Sequence, residues 1–183
     1  MIRMRRWIVT ALDALGLGPR PTRIRMGPEF VGVVEATLAD IPDIVELELP
    51  VFREHREYHP GDFQQPMNAP MIADFYRQVM FDDDWGIAVF VADRSTIGYV
   101  AWTAYEQFEG RHALIHSIAV NEAGRRRGIA RALLAFAETQ ADARGLASIR
   151  ANVWAHNEAS RAFFASNGFY PVAQLMGRSI RAE

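Results

Sequence analysis

The 183-residue chain contains no cysteine. That excludes a disulfide scaffold, a thiolate metal site, an iron–sulfur cluster and a cysteine nucleophile. Lysine is absent as well, since all 20 basic residues are arginine. A Schiff-base lysine and the lysine of a phosphate-binding P-loop are therefore missing. No stretch reaches the ~18 apolar residues that a membrane span needs, and no long apolar run of a signal peptide is present. A net charge of −2 supplies no global field for nucleic acid. The expectation is a cytoplasmic protein without a nucleic-acid partner and without a membrane span.

What is present is enough for one core. Half of the residues are hydrophobic and 11% are aromatic, which rules out a disordered polar chain and supports one compact domain. The charge is uneven. Residues 1–29 carry six arginines (Arg3, Arg5, Arg6, Arg20, Arg23, Arg25) against Asp13 and Glu29. Within them Met4 to Leu17 has the spacing of an amphipathic helix, with Trp7, Ile8, Ala11, Leu12 and Leu15 on one stripe. Three readings stay open for this extension: a docked helix or homodimer contact, an anchor to an anionic surface, or a targeting peptide. Residues 30–183 form the domain.

Phe30 to Thr37 reads as a first strand. Asp40 and Pro42 open a helix on Ile41, Ile44, Val45, Leu47 and Leu49, followed by a loop from His55 to Pro70. A second helix is predicted over Met71–Met80. Asp82, Asp83 and Asp84 read as a solvated acidic turn. Strands at Ile87–Ala92, Ile97–Tyr105 and Ala113–Val120, joined by short turns, make an antiparallel meander. The pattern then changes to a helix over Gly128–Arg144 closed by Gly145, a strand over Leu146–Trp154 and a helix over Asn157–Asn167. One or two closing strands follow from Phe169. A strand–helix–strand unit requires parallel pairing, so the sheet is mixed.

The most informative stretch runs from Ile118 to Ala130. A strand feeds a loop with Arg125, Arg126, Arg127 and Gly128, and the loop opens the long helix. Unpaired amides and a partial positive charge at a helix N-terminus hold phosphate oxygens. Gly128 and Ala130 keep bulk away, and the arginines add charge-assisted hydrogen bonds. The spacing is not that of a dinucleotide fingerprint.

This segment resembles the pyrophosphate loop of the GNAT superfamily of acyl-CoA-dependent N-acetyltransferases, Arg/Gln-x-x-Gly-x-Gly/Ala, matched by Arg125 to Ala130. Ile118-Ala119-Val120 resembles the family's splayed strand. Asn157, Ala159, Ala162, Phe163, Phe164, Gly168 and Phe169 resemble its C-terminal motif. The resemblance implies an α+β fold with a mixed, mostly antiparallel sheet of about six to seven strands flanked by helices, with a parallel splayed pair at the acyl-CoA site. It implies acetyl-CoA as co-substrate and transfer of its acetyl group to a primary amine on a small molecule, a peptide N-terminus or a lysine. Ile118, Ala119, Val120, Arg125, Arg126, Arg127, Gly128, Ile129, Ala130 and Asn157 would bind the cofactor. One departure stands out. Phe164 occupies the position where many members place the tyrosine that protonates the departing thiolate, which motivates a non-catalytic CoA-binding regulatory module as the alternative. Tyr170 is a candidate substitute.

The amine must be neutral to attack. A lysine-like amine loses its proton at pH 7 at a cost of about 4.6 kcal/mol, so a base helps. His116, mid-strand near the expected thioester, is the first candidate base. Glu106, at the end of the third strand, is the second. His55, Glu57, Tyr58, His59 and Asp62 occupy the loop expected to flank the acceptor. His55 and His59 have a metal-compatible spacing on a helix, but Pro60, Gly61 and the lack of a third ligand argue against a metal.

Overall fold

The computed structural model describes residues 31–61, 67–107 and 110–177. The basic extension lies outside them. The elements are β1 (Gly32–Glu35), α1 (Ile41–Tyr58), α2 (Ala69–Val79), β2 (Trp85–Ala92), β3 (Ser95–Gln107), β4 (Gly110–Val120), α3 (Ile129–Ala143), β5 (Ile149–Ala151) and α4 (Glu158–Ser166). The sheet order is β1-β2-β3-β4-β5, antiparallel except for the parallel β4–β5 pair. The mixed sheet is as expected, with five strands among the described residues instead of six or seven.

Helices cover both faces, so the central strands are apolar almost continuously. Alternation along β3 divides the core. Tyr99 and Ala101 face α1 and α2, with Ile41, Ile44, Val45, Ile72 and Val79. Val100, Trp102 and Ala104 face α3, whose Leu133, Phe136, Ala137 and Ala141 recur at helical spacing. Asp93 and Arg94, at φ of 50° and 64°, form the tight β2–β3 turn. Gly145, at φ of 67°, follows the last turn of α3 where a left-handed residue ends a helix.

Three boundaries differ from the sequence expectation. α1 does not stop before His55 but carries Pro50 in its interior and continues to Tyr58. Proline there removes one N–H donor, yet the buried apolar stripe holds the helix to the sheet on its N-terminal side. The strand expected over Leu146–Trp154 contracts to three residues. The closing strands from Phe169 do not form within the described residues. Phe169 packs on Phe164, with ring centroids 4.9 Å apart, while Leu175 is 98% exposed.

Gly86 in β2 lies opposite Trp102, and a Cβ built on Gly86 falls inside that indole. Trp102 is buried among the α3-facing residues and cannot move aside without repacking them. Gly86→Ala is therefore expected to cost about 1–3 kcal/mol in urea unfolding. An unchanged midpoint would show that the indole has room to shift.

Candidate active site

β4 carries one extra residue. Ala101 pairs with Ser117 and Trp102 with Ile115, so His116 is bulged out of register. A bulge places two consecutive side chains on one face, and both His116 and Ser117 turn toward α1 and α2. His116 Nε2 lies 2.8 Å from Thr103 Oγ1, and its ring stacks on Trp85 at 4.7 Å. Partial desolvation holds its pKa below the usual histidine value. The imidazole is neutral at pH 7 and still solvent-accessible.

The parallel pairing of β4 with β5 ends at Ile115–Ala151, next to the bulge. β4 continues to Val120, with Ile118, Ala119 and Val120 paired only to β3, opposite Val100, Tyr99 and Gly98. The two strands thus part in the middle of the sheet edge. Backbone amides beyond the parting point are available to an extended ligand.

Asn121 follows, and its side chain accepts a hydrogen bond from Gly124 N at 2.9 Å. This closes a 3-10 turn over Glu122–Gly124. A Cβ on Gly124 would press against Val120 and Ile129. The chain then turns through Arg126 and Gly128, both left-handed, at φ of 59° and 81°. α3 starts at Ile129 without an acidic residue in its first turn. Arg125, Arg126 and Arg127 are exposed, and nothing lies within 4 Å of a Cβ built on Gly128. Open amides, a helix N-terminus and three arginines around this bare glycine suit a diphosphate.

Asn157 caps α4, its Oδ1 accepting from Ser160 N at 2.9 Å. The cap consumes the side-chain oxygen and leaves the amide N–H donors for a ligand. Phe164 faces the core at 6% exposure, and Tyr170 is 78% exposed. Glu106 is not brought to the site. It pairs with Arg111 near the start of β4, five residues from the bulge, or roughly 17 Å along an extended strand.

Two residues at the site, Glu48 and His156, were not singled out in the sequence. Glu48 on α1 is 7% exposed, and Ser117 Oγ donates to its Oε2 at 2.8 Å. Burial pushes the carboxyl up to about 7, against the opposing pull of the Ser117 hydrogen bond. The signal was in the sequence: an acid at 48 continues the apolar stripe of Ile41, Ile44 and Val45. The second group joins α1 to the segment after β5. His156 Nε2 lies 3.2 Å from His55 Nδ1, and His156 Nδ1 lies 3.0 Å from His59 Nε2. Tyr58 stacks on His156 at 4.2 Å, and Trp154 lies against His55 and His59. Desolvation, then the neighbouring His156, lower the His55 pKa. The third imidazole that the sequence did not reveal is thus present, but its two nitrogens serve different partners and form a chain instead of a chelate. Among the described residues no group of three His, Cys, Asp or Glu could hold a metal ion. Among them, too, no helix is long and apolar enough to cross a membrane.

Comparison with known proteins gives a consistent answer. No curated protein matches the sequence. Among solved structures, a mutant of the BH1408 protein from Bacillus halodurans superposes with a TM-score of 0.73 at 20% identity, over 81% of this chain and 99% of that one. The aminoglycoside N-acetyltransferase AAC(6')-Iy, in complex with CoA, gives 0.66 at 14% identity, over 86% of this chain and all (100%) of that one. An aminoglycoside acetyltransferase, meta-AAC0020, from an uncultured soil metagenomic sample and in complex with sisomicin, gives 0.60 at 15% identity, over 84% and 97%. At these identities the likeness is one of fold. The acetyltransferase (GNAT) family model matches residues 44–169, which span the bulge, the arginine loop and α4. The chain belongs to the GNAT acetyltransferase family.

Proposed function

We propose that the protein transfers an acetyl group from acetyl-CoA to a primary amine. The observation that carries this reading is the parting of β4 from β5 at the His116 bulge, immediately before the Arg125–Ala130 turn. Amides of Arg126 to Ala130 and the arginine side chains hold the diphosphate. Ile118, Ala119 and Val120 offer backbone groups to the pantetheine arm, and the Asn157 amide donates from the opposite side. Acetyl-CoA supplies an activated acyl group when bound.

His116 is the base in this reading. Its imidazole is neutral at pH 7, is oriented by Thr103 and Trp85, and stands at the parting point. A base of this kind contributes about 100-fold or more. The acceptor enters from the α1–α2 side, where Tyr58 stacks on the imidazole chain. Aminoglycosides are the acceptors suggested by two structural relatives and belong in any amine panel. The alternative, a CoA-binding module without turnover, is favoured by one observation: Phe164 is buried in the core, so α4 presents no hydroxyl there.

Release of CoA with a broad amine panel separates the two readings; tight CoA binding without release would establish the module. Gly128→Glu places bulk and negative charge on the diphosphate and is expected to raise the CoA dissociation constant at least ~10-fold, about 1.4 kcal/mol, by calorimetry. Unchanged affinity in the folded variant would remove the loop from the site. His116→Ala is expected to lower kcat/KM about 100-fold at pH 7, with CoA affinity retained and activity recovering as the amine deprotonates at higher pH. Unaltered turnover from pH 6 to 9 would exclude His116 as the base.

A further inference from the structure

The bulge sets His116 beside Ser117, whose hydroxyl leads to Glu48, and burial lowers the proton affinity of the imidazole while raising that of the carboxyl. His116 is exposed and bonded to a threonine. Ser117 beside it reaches inward, to Glu48 Oε2 at 2.8 Å and to Tyr99 Oη at 2.6 Å. Tyr76 donates to Tyr99 at 3.4 Å and closes the network from α2. The groups facing the Glu48 carboxyl are thus Ser117 from β4, with the phenols of Tyr99 from β3 and Tyr76 from α2 behind it. No arginine is among them. Along the same face of α1 the next ionisable side chain is His55, roughly 10 Å away along the helix axis. Among the described residues no cation faces the buried Glu48, and its hydrogen bond toward the parting strands is to the Ser117 hydroxyl.

We propose that Ser117, supplied with a proton by Glu48, is the acid of the transfer reaction: it protonates the sulfur as the thiol departs. The inference rests on the acetyltransferase reading given above. It assigns the acid on β4 itself, where α4 offers only the buried Phe164. With Glu48 protonated the hydrogen bond runs the other way, Glu48 O–H donating to Ser117 Oγ and freeing the hydroxyl proton; the Ser117 O–H bond then breaks as the S–H bond forms, and the Glu48 O–H bond breaks as the Ser117 O–H bond is restored. Glu48 is left as a carboxylate. His116 holds the proton taken from the amine nitrogen, and its return through solvent and Ser117 resets Glu48. Counted from the neutral amine, one proton moves from nitrogen to sulfur; the proton that the ammonium form gives up beforehand goes to solvent, and no other reactant is required. Environments that force two neighbouring titratable groups apart are the usual means of assigning base and acid. Burial keeps Glu48 protonated through half of its population near pH 7, while His116 is already neutral there.

Glu48→Gln keeps the shape and an oxygen for Ser117 but has no proton to give. With an amine that the wild type acetylates, the variant is expected to lose at least about tenfold in kcat at pH 7 with unchanged KM for acetyl-CoA. The wild-type fall in kcat above about pH 7 should vanish in it. Ser117→Ala should show the same loss and Ser117→Thr should restore most of it, so the test survives if one variant misfolds. Without substrate, the wild-type-minus-Glu48→Gln infrared spectrum should show a protonated carboxyl at pH 6 that is gone at pH 9. A raised folded pKa means that wild-type stability falls as pH rises from 4.5 through 7. Glu48→Gln should therefore melt higher than wild type at pH 8, and the two should converge near pH 4. Wild-type turnover matched by Glu48→Gln and Ser117→Ala, or a Glu48 already ionised at pH 6, would overturn this proposal alone. A wild type that binds CoA but acetylates no amine would overturn both it and the proposed function.

Discussion

A single inserted residue in β4 organises the site. The His116 bulge sets two consecutive side chains, His116 and Ser117, on the α1–α2 face, so the imidazole stands beside the hydroxyl that reaches Glu48. The bulge also strengthens the local twist, and the pairing with β5 ends at that point. The parting of two parallel strands at a sheet edge is costly in backbone hydrogen bonds unless something occupies the gap. Here the gap leads directly into the arginine turn and the start of α3, so the open strand edge and the amides of the helix start lie along one path.

α1 is the second constraint. Its sheet-facing stripe changes character along its length. Ile41, Ile44 and Val45 anchor the N-terminal half in the core, Glu48 stands over β4, and His55 and His59 reach the segment after β5 through His156. The helix thus spans the two strands where they separate, with a carboxyl on one and imidazoles on the other. A buried carboxyl next to tyrosines, with no cation facing it among the described residues, weakens the fold at neutral pH, as polar groups retained for chemistry commonly do.

Local chemistry made much of this legible in the sequence. The three arginines followed by Gly128 and Ala130 are contiguous, so the turn and helix start could be read directly. The α3 stripe closed by Gly145 and the Asp93–Arg94 turn were equally local. The errors came from long-range packing. His55 read as the start of a loop, but α1 is held against the sheet and runs through it to Tyr58. β5 is short because β4 leaves it, a fact that depends on a bulge no residue type announces. His156 joins His55 across 101 residues of sequence, and Ser117 joins Glu48 across 69. Such separations leave no local pattern. Glu106 lies at the end of the third strand as read, but its distance from the His116 bulge depends on the β3–β4 register, which no single strand reveals.

The account turns on whether the open edge of β4 and the arginine turn receive the coenzyme. A crystal structure of the protein with CoA tests this most directly. The expected result is the diphosphate against the amides of Arg126 to Ala130, with the pantetheine arm alongside Ile118–Val120 and the thiol next to the His116–Ser117 bulge. A coenzyme bound elsewhere, or a turn closed by its own arginine side chains with β4 and β5 zipped together past Ala151, would contradict it.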